Sequence, residues 1–252
     1  MPKVFALFLM LLSAVACANP STRSIKTAPD VEAPISVYGA SRQRLVLWLP
    51  SEHGVLGAEH EIAAQLALFG YEVWIADLFM ARFLPVAPSS LNEVPATDVA
   101  QLVRAGARHH TRIYLLSSGQ GAGRALEGAR YWQQRYPRQP LAGAILLAPN
   151  LFATNPEAGE APTYLPITGQ TQLPIAILQG NLSPWYWQLE ELKAQLESGG
   201  STVTIQALPG LRDRFYFRED ANPREREAGR QLAAAINASI RSLAPIKRRK
   251  TR

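Results

Sequence analysis

Cysteine and histidine are scarce in this sequence of 252 residues. The single cysteine, Cys17, excludes a disulfide within the chain. The four histidines, His53, His60, His109 and His110, do not have the spacing of metal ligands, and none follows residue 110. We therefore expect no metal ion and no cofactor. Any catalytic histidine would have to come from the first half of the chain.

Long uncharged apolar stretches are also missing, except at residues 4–16 (VFALFLMLLSAVA), which follow Lys3 and precede small residues. The stretch is too short to span a hydrocarbon core of about 30 Å, which needs about 20 residues. A positive start, an apolar run and small residues are the parts of a secretory signal. Residues 1–17 are therefore predicted to be a signal peptide, and the protein is expected to be exported.

Cys17 directly follows this apolar run. Residues 12–17 (LSAVAC) resemble a bacterial lipobox, in which the cysteine is lipidated, although Ala14 stands where leucine is usual. The alternative is ordinary cleavage near Ala16. An unpaired thiol in an exported protein and the polar, proline-containing residues that follow favour lipidation. We predict a lipid anchor at Cys17, a tether over residues 18–43 and a place in the bacterial periplasm, attached to the outer membrane.

The net charge of +6 is concentrated at one end, because the last twelve residues (RSLAPIKRRKTR) contain six basic residues and no acidic one. Without these and Lys3, the chain has 19 basic and 20 acidic residues. The folded part is therefore close to neutral and does not suggest a nucleic-acid-binding domain. Residues 244–252 form a basic tail that either contacts anionic lipid or a partner, or is simply solvated.

Strand-like and helix-like segments alternate over residues 44–243, which we assign to one domain. Strands are predicted at 44–49, 71–76, 112–116, 141–147, 174–178 and 202–207, and helices at 58–69, 96–107, 121–136, 185–198 and 221–243. This alternation predicts an α/β fold with a mainly parallel sheet of about six strands and helices on both faces. Ligands of such sheets bind at the carboxyl ends of the strands, where the long stretch 149–174 could form a lid.

Several segments resemble the α/β-hydrolase superfamily in order and spacing. They are 70–78 (GYEVWIADL), 114–123 (YLLSSGQGAG), 144–149 (AILLAP), 174–184 (PIAILQGNLSP) and 208–213 (LPGLRD). The resemblance implies an α/β-hydrolase-like fold. It also implies a nucleophile on a sharp turn after the third strand, an acid after the fifth strand and a histidine after the sixth.

All three triad positions that the resemblance implies have lost their usual residue. The turn requires small residues two positions before and after the nucleophile. Only Gly119, between Ser117 and Gly121, satisfies this. The acid position is Ser183 and the histidine position is Asp213. The usual Ser-His-Asp relay cannot be assembled from these residues.

Other polar residues at the strand ends offer alternatives. Ser117 or Ser118 could act with His53, oriented by Glu52 or Asp213, as a rearranged hydrolase. The competing interpretation makes His53 a surface loop residue and is favoured, because Ser118 fits the turn poorly.

Arginines after the sixth strand form a second candidate site. Arg212 and Arg214, together with Gln120, could bind a carboxylate or phosphate. The competing interpretation is an Arg–Asp network that fixes the loop before the last helix.

Two functions compete at this point. The first is a non-catalytic binding or accessory protein of the cell envelope, with an unknown small molecule or envelope protein as partner, supported by the empty triad positions. The second is a divergent hydrolase of ester, thioester or peptide bonds with a rearranged site, supported by a turn whose amides could still form an oxyanion hole. A structural envelope component is a third class.

Overall fold

A computed structural model describes residues 20–136, 140–154, 156 and 160–243. The predicted signal peptide, the predicted lipidation site Cys17 and the basic tail at 244–252 lie outside the described residues. In the part of the chain that is described, no helix is long and apolar enough to cross a membrane.

One eight-stranded sheet organises the chain, with strand order β1-β2-β4-β3-β5-β6-β7-β8. The strands are β1 (Ser21–Ala28), β2 (Val31–Tyr38), β3 (Arg44–Trp48), β4 (Glu72–Ala76), β5 (Arg112–Gly119), β6 (Leu141–Pro149), β7 (Pro174–Gly180) and β8 (Thr202–Leu208). Strands β3 to β8 are mutually parallel. They are the six strands expected from the sequence, so the predicted α/β-hydrolase-like sheet is confirmed.

Within the described ranges, six α-helices pack on the two faces of this sheet. They are α1 (Gly57–Leu68), α2 (Leu78–Ala81), α3 (Ala96–Gly106), α4 (Gly121–Arg135), α5 (Leu189–Ser198) and α6 (Pro223–Ser242). Short 3-10 helices cover Pro88–Glu93, Pro166–Gln170, Tyr186–Gln188 and Phe215–Phe217. Apolar side chains of α3, α4 and α5 build one core layer against the sheet, and those of α1 and α6 build the other.

The predicted tether is wrong for residues 21–38, which form two strands of the sheet. Strands β1 and β2 make an antiparallel hairpin, and β2 pairs antiparallel with β4. Alternate residues of β2 point inward, so Ala33 and Ile35 are fully buried. Pro34 lies just before the residues of β2 that pair with β4, and its carbonyl oxygen accepts from the backbone N–H of Asp77 at 3.0 Å. This segment is polar overall but has the period-two pattern of a half-buried strand.

The parallel strands give the sheet two different edges. We call the edge where β3 to β8 begin the amino edge, and the opposite edge, where they end, the carboxyl edge. Helices α1, α3, α4, α5 and α6 each start near the carboxyl edge and return the chain to the amino edge. In open α/β sheets, loops at the carboxyl edge form the ligand site.

Candidate functional site

The turn after β5 has the left-handed backbone conformation on which this fold carries its nucleophile. Gly119 ends the strand with φ of +53°, in the left-handed region, and α4 begins two residues later at Gly121. A Cβ on Gly121 would lie 2.2 Å from the carbonyl oxygen of Pro50, so only glycine fits there. The turn therefore has the close packing that the small flanking residues suggested, without a hydroxyl at its apex.

The carboxylate of Glu52 fills the empty apex. A Cβ built on Gly119 would lie 2.3 Å from Oε2 and 2.7 Å from Oε1 of Glu52. The backbone N–H of Gln120 donates a hydrogen bond of 2.8 Å to Oε2. In this fold, the N–H after the nucleophile is one of the oxyanion-hole donors. The start of α4 also favours a negative charge at this point.

The two serines before the apex are engaged elsewhere. Ser117 is fully buried, and its hydroxyl donates to the carbonyl oxygen of Leu49 at 3.2 Å. The hydroxyl of Ser118 accepts a hydrogen bond of 3.2 Å from the phenol of Tyr216. Burial, followed by the charge of Glu59, raises the pKa of Tyr216, so the phenol stays protonated and acts as a donor. Sequence analysis did not single out Tyr216.

His53 lies in the same cleft as Ser118 but contacts other partners. Its Nε2 is 3.6 Å from Oε1 of Glu52 and 3.3 Å from a guanidinium nitrogen of Arg214. Because arginine can only donate, the Arg214 contact needs an unprotonated Nε2, whereas a bond to the Glu52 carboxylate needs that nitrogen protonated, so Nε2 can make one of the two at a time. The ring also packs against Phe217, with centroids 5.5 Å apart. The structure therefore brings Glu52 to His53, as one alternative required, but bonds the Ser118 hydroxyl to Tyr216.

The other two triad positions have structural partners. Ser183 is buried, and its hydroxyl accepts from the backbone N–H of Trp185 at 3.1 Å, which stabilises the local turn. Asp213 lines the cleft, and its Oδ1 accepts from Nε2 of Gln179 at 2.7 Å. Gln179 is the penultimate residue of β7 and was not anticipated from the sequence.

Arg212 and Arg214 point to different surroundings. Arg212 donates to both carboxylate oxygens of the buried Glu225, at 2.7 and 2.6 Å, and to Asp220 at 2.9 Å. The Arg212 guanidinium lowers the pKa of Glu225 to about 2. Arg212 thus takes part in the loop-fixing network, and ligand binding by Arg212, Arg214 and Gln120 stays a prediction. Arg214 is exposed at the cleft, with φ of +58°.

These groups surround one open cleft of about 200 Å³ at the carboxyl edge. Its polar and aromatic lining comprises Ser51, Glu52, His53, Ser118, Asn150, Trp185, Asp213, Arg214, Tyr216 and Phe217. Two carboxylates, one guanidinium and an imidazole face the same space, so the cleft presents both charge signs beside aromatic rings. This composition suits a small polar ligand.

The remaining histidines lie away from the cleft. Nδ1 of His60 is 2.7 Å from the hydroxyl of Tyr38, and Nε2 of the buried His110 is 3.3 Å from Glu72. Over the ranges that the structure describes, no three His, Cys, Asp or Glu side chains converge as a metal site.

Comparison with solved structures places this geometry on a known fold. A putative dienelactone hydrolase from Klebsiella pneumoniae subsp. pneumoniae MGH 78578 superposes with a TM-score of 0.64 and 16% identity, covering 88% of this chain and 98% of its own. An esterase from Pyrobaculum calidifontis superposes with a TM-score of 0.66 and 14% identity, covering 90% of this chain and 88% of its own. A bacterial heroin esterase superposes with a TM-score of 0.63 and 17% identity, covering 91% of this chain and 87% of its own.

The chain therefore has the α/β-hydrolase fold. No family model and no curated protein sequence matches it. At this level of identity, the likeness to the esterases establishes the fold alone, and function has to be argued from the cleft.

Proposed function

We propose that this chain is a non-catalytic binding protein built on the α/β-hydrolase fold. The observation that carries the proposal is the position of the Glu52 carboxylate on the turn at Gly119. Acyl transfer on this fold needs a hydroxyl or thiol at the apex and a free amide after it to stabilise the oxyanion. The Glu52 carboxylate occupies the apex and accepts the hydrogen bond of the Gln120 amide.

The cleft supports the binding part of this proposal. It remains open beside Glu52, and the carboxylate of Asp213 and the guanidinium of Arg214 face the same space. Trp185 and Phe217 add aromatic surface. A small molecule that carries a charged or hydrogen-bonding group next to an apolar part would match these neighbours.

Ester turnover tests the non-catalytic part. We expect the purified domain and the double variant Ser117→Ala/Ser118→Ala both to hydrolyse p-nitrophenyl acetate and a thioester analogue no faster than buffer alone. Hydrolysis by the parent chain that disappears in the double variant, with its circular dichroism spectrum unchanged, would contradict the proposal.

A thermal-shift screen of small amines and carboxylic acids tests the binding part. A compound present at about 100 times its Kd stabilises the folded state by about 2.7 kcal/mol, which raises Tm by several degrees. We expect hits whose shift is lost in Asp213→Asn or Arg214→Ala. The matched control Glu190→Gln, on α5 and away from the cleft lining, should keep the shift. If the hits shift Tm equally in the parent chain and in both cleft variants, the cleft is not the binding site.

A divergent hydrolase is the second candidate, favoured by the fold shared with esterases and by the Glu52–His53 contact at 3.6 Å. A carboxylate or imidazole beside an open cleft can serve as a general base toward water. Turnover that survives Ser117→Ala/Ser118→Ala but is lost in Glu52→Gln would establish this candidate over the first.

We also propose export and lipid attachment at Cys17. The apolar run at residues 4–16 and the solitary thiol after it support this location. Mass spectrometry of the native protein should find a triacylated Cys17 as the first residue. An unmodified start at Cys17 or Asn19 would refute lipidation.

A further inference from the structure

Exposed arginines are concentrated at the amino edge, opposite the cleft. They lie in the loops that enter the parallel strands and at the ends of the helices that return there. They are Arg42, Arg104, Arg108, Arg112, Arg135 and Arg241. These positions come from four separate segments of the chain, 42, 104–112, 135 and 241, so the concentration of charge depends on the fold as well as on the sequence.

Hydrogen bonds connect these segments into one surface. The guanidinium of Arg44 donates to the carbonyl oxygen of Phe69 at 3.0 Å. The hydroxyl of Thr111 donates to the carbonyl oxygen of Gln43 at 3.1 Å, which joins the loop before β5 to the loop before β3. Arg44 also lies 4.5 Å above the ring of Tyr71.

Tyr71 in turn ties α6 to the same surface. Its hydroxyl donates to Asn237 at 3.0 Å, one turn before Arg241. We call the connected surface formed by residues 41–44, 68–71 and 108–112 and the end of α6 the basic face.

Apolar side chains are exposed among these charges. Leu68 and Phe69, at the end of α1, keep 71% and 41% of their surface accessible. Among the described residues, no carboxylate pairs with Arg42, Arg108 or Arg112. A cationic surface with exposed leucine and phenylalanine matches the interface of an anionic bilayer, where arginines meet lipid phosphates and apolar side chains enter the acyl boundary.

Acidic side chains near the basic face are already engaged. Glu72 accepts hydrogen bonds from Arg23 at 2.9 Å and from the indole of Trp74 at 2.6 Å. Glu197, at the end of α5, pairs with Lys193. The excess of positive charge on this face is therefore not cancelled by neighbouring carboxylates.

The described domain begins and ends at the amino edge. Ser21 pairs with Val37 and begins a strand that runs from the amino edge toward the carboxyl edge, so only three residues separate β1 from Cys17. Helix α6 ends at the amino edge, where Leu243 lies against Gly143 at the start of β6. The basic residues of 244–252 follow directly in the sequence.

We propose that the basic face docks on an anionic lipid bilayer, with the cleft at the carboxyl edge facing away from the membrane. A charged patch alone gives weak, reversible attachment, and exposed apolar side chains that enter the acyl boundary strengthen it. The arginines and the Leu68–Phe69 pair supply a signal within the folded domain that does not depend on lipidation.

Vesicle cosedimentation tests this proposal on the unlipidated chain from residue 18 onward, which retains every described residue. We expect binding to phosphatidylcholine vesicles that contain phosphatidylglycerol, no binding to phosphatidylcholine alone, and weakening by salt. Arg108→Ala/Arg112→Ala should lower the partition coefficient about tenfold or more. Phe69→Ser should lower it without changing the salt dependence.

The matched control is Arg224→Ala/Arg230→Ala, which removes two exposed arginines from the first half of α6. It should bind vesicles like the parent chain. The proposal would be overturned if both double variants lost vesicle binding equally. It would also be overturned if vesicle binding were lost only in a chain that ends at Leu243. The absence of binding to anionic vesicles would also overturn it. This includes the result that a DNA duplex, and not the vesicles, binds in a manner that depends on Arg108 and Arg112.

Discussion

The carboxylate of Glu52 lies in the space into which a side chain at Gly119 would project. The two residues come from different strands, because Glu52 follows β3 and Gly119 ends β5. The group at the apex of the turn is therefore supplied by a neighbouring loop. The effect of a substitution at Gly119 should therefore depend on the side chain at position 52.

Gly119→Ala should destabilise the domain by about 1–3 kcal/mol, since alanine resists a φ of +53° and its Cβ would displace Glu52. In the double variant Gly119→Ala/Glu52→Ala, the steric part disappears. Urea unfolding of both single variants and the double should give a coupling energy of about 1 kcal/mol. Strictly additive effects would show that the two side chains do not compete for one space.

Glu59 makes the stability depend on pH in an unusual direction. It is fully buried in the first turn of α1, and burial raises its pKa to about 8. The folded state therefore keeps a proton that the unfolded chain releases near its ordinary pKa. The resulting stability is complete below pH of about 4.5 and is lost as the pH rises through about 8, with a slope of at most about 1.4 kcal/mol per pH unit.

Glu59→Gln should flatten this slope while still accepting from the backbone N–H of Leu56. The measurement is urea unfolding at several pH values between about 4.5 and 8, a window set by the shift at Glu59. The control Glu61→Gln, exposed on the same helix, should keep the parent slope. A slope that persists in Glu59→Gln would assign the pH dependence to another group.

The Tyr216–Ser118 hydrogen bond should contribute about 1 kcal/mol to stability. Tyr216→Phe and Ser118→Ala should each lose about that amount, and the double variant should cost less than their sum. Thermal unfolding of the three variants checks this. If Ser118→Ala left the stability unchanged while Tyr216→Phe lowered it, the phenol would stabilise the fold through another partner.

Ile35, in the hairpin β1–β2, is a core position within the predicted tether. Ile35→Ala should destabilise the domain by about 2–4 kcal/mol, because Ile35 is 1% exposed between the sheet and its helices. Ile25→Ala, at a partly buried position of β1, serves as the milder comparison. Chemical denaturation of the two variants distinguishes a strand from a tether, in which both changes would be neutral.

Most of the parallel sheet could be predicted from the sequence, because the strands β3 to β8 are short apolar runs separated by helical patterns. The hairpin β1–β2 escaped prediction for a physical reason. An edge hairpin exposes half of its residues, so the segment's charged and proline residues outweighed the buried Ala33 and Ile35.

The site was only partly predictable. The absence of a hydroxyl at Gly119 follows from the spacing of small residues around it, since that spacing is local. The positions of Glu52 and Tyr216 depend on contacts 68 and 98 residues apart in the sequence. Periodicity and motif spacing carry no information about such distant side-chain contacts, so only the folded structure could bring these groups together.

The filled apex also restricts how this protein can change over evolutionary time. A serine placed at Gly119 would meet the Glu52 carboxylate, and shortening Glu52 first would leave the Gln120 amide without its acceptor. Ser183 and Asp213 would still have to be replaced by an acid and a histidine. A conventional triad at these places would therefore take changes at four positions, Gly119, Glu52, Ser183 and Asp213.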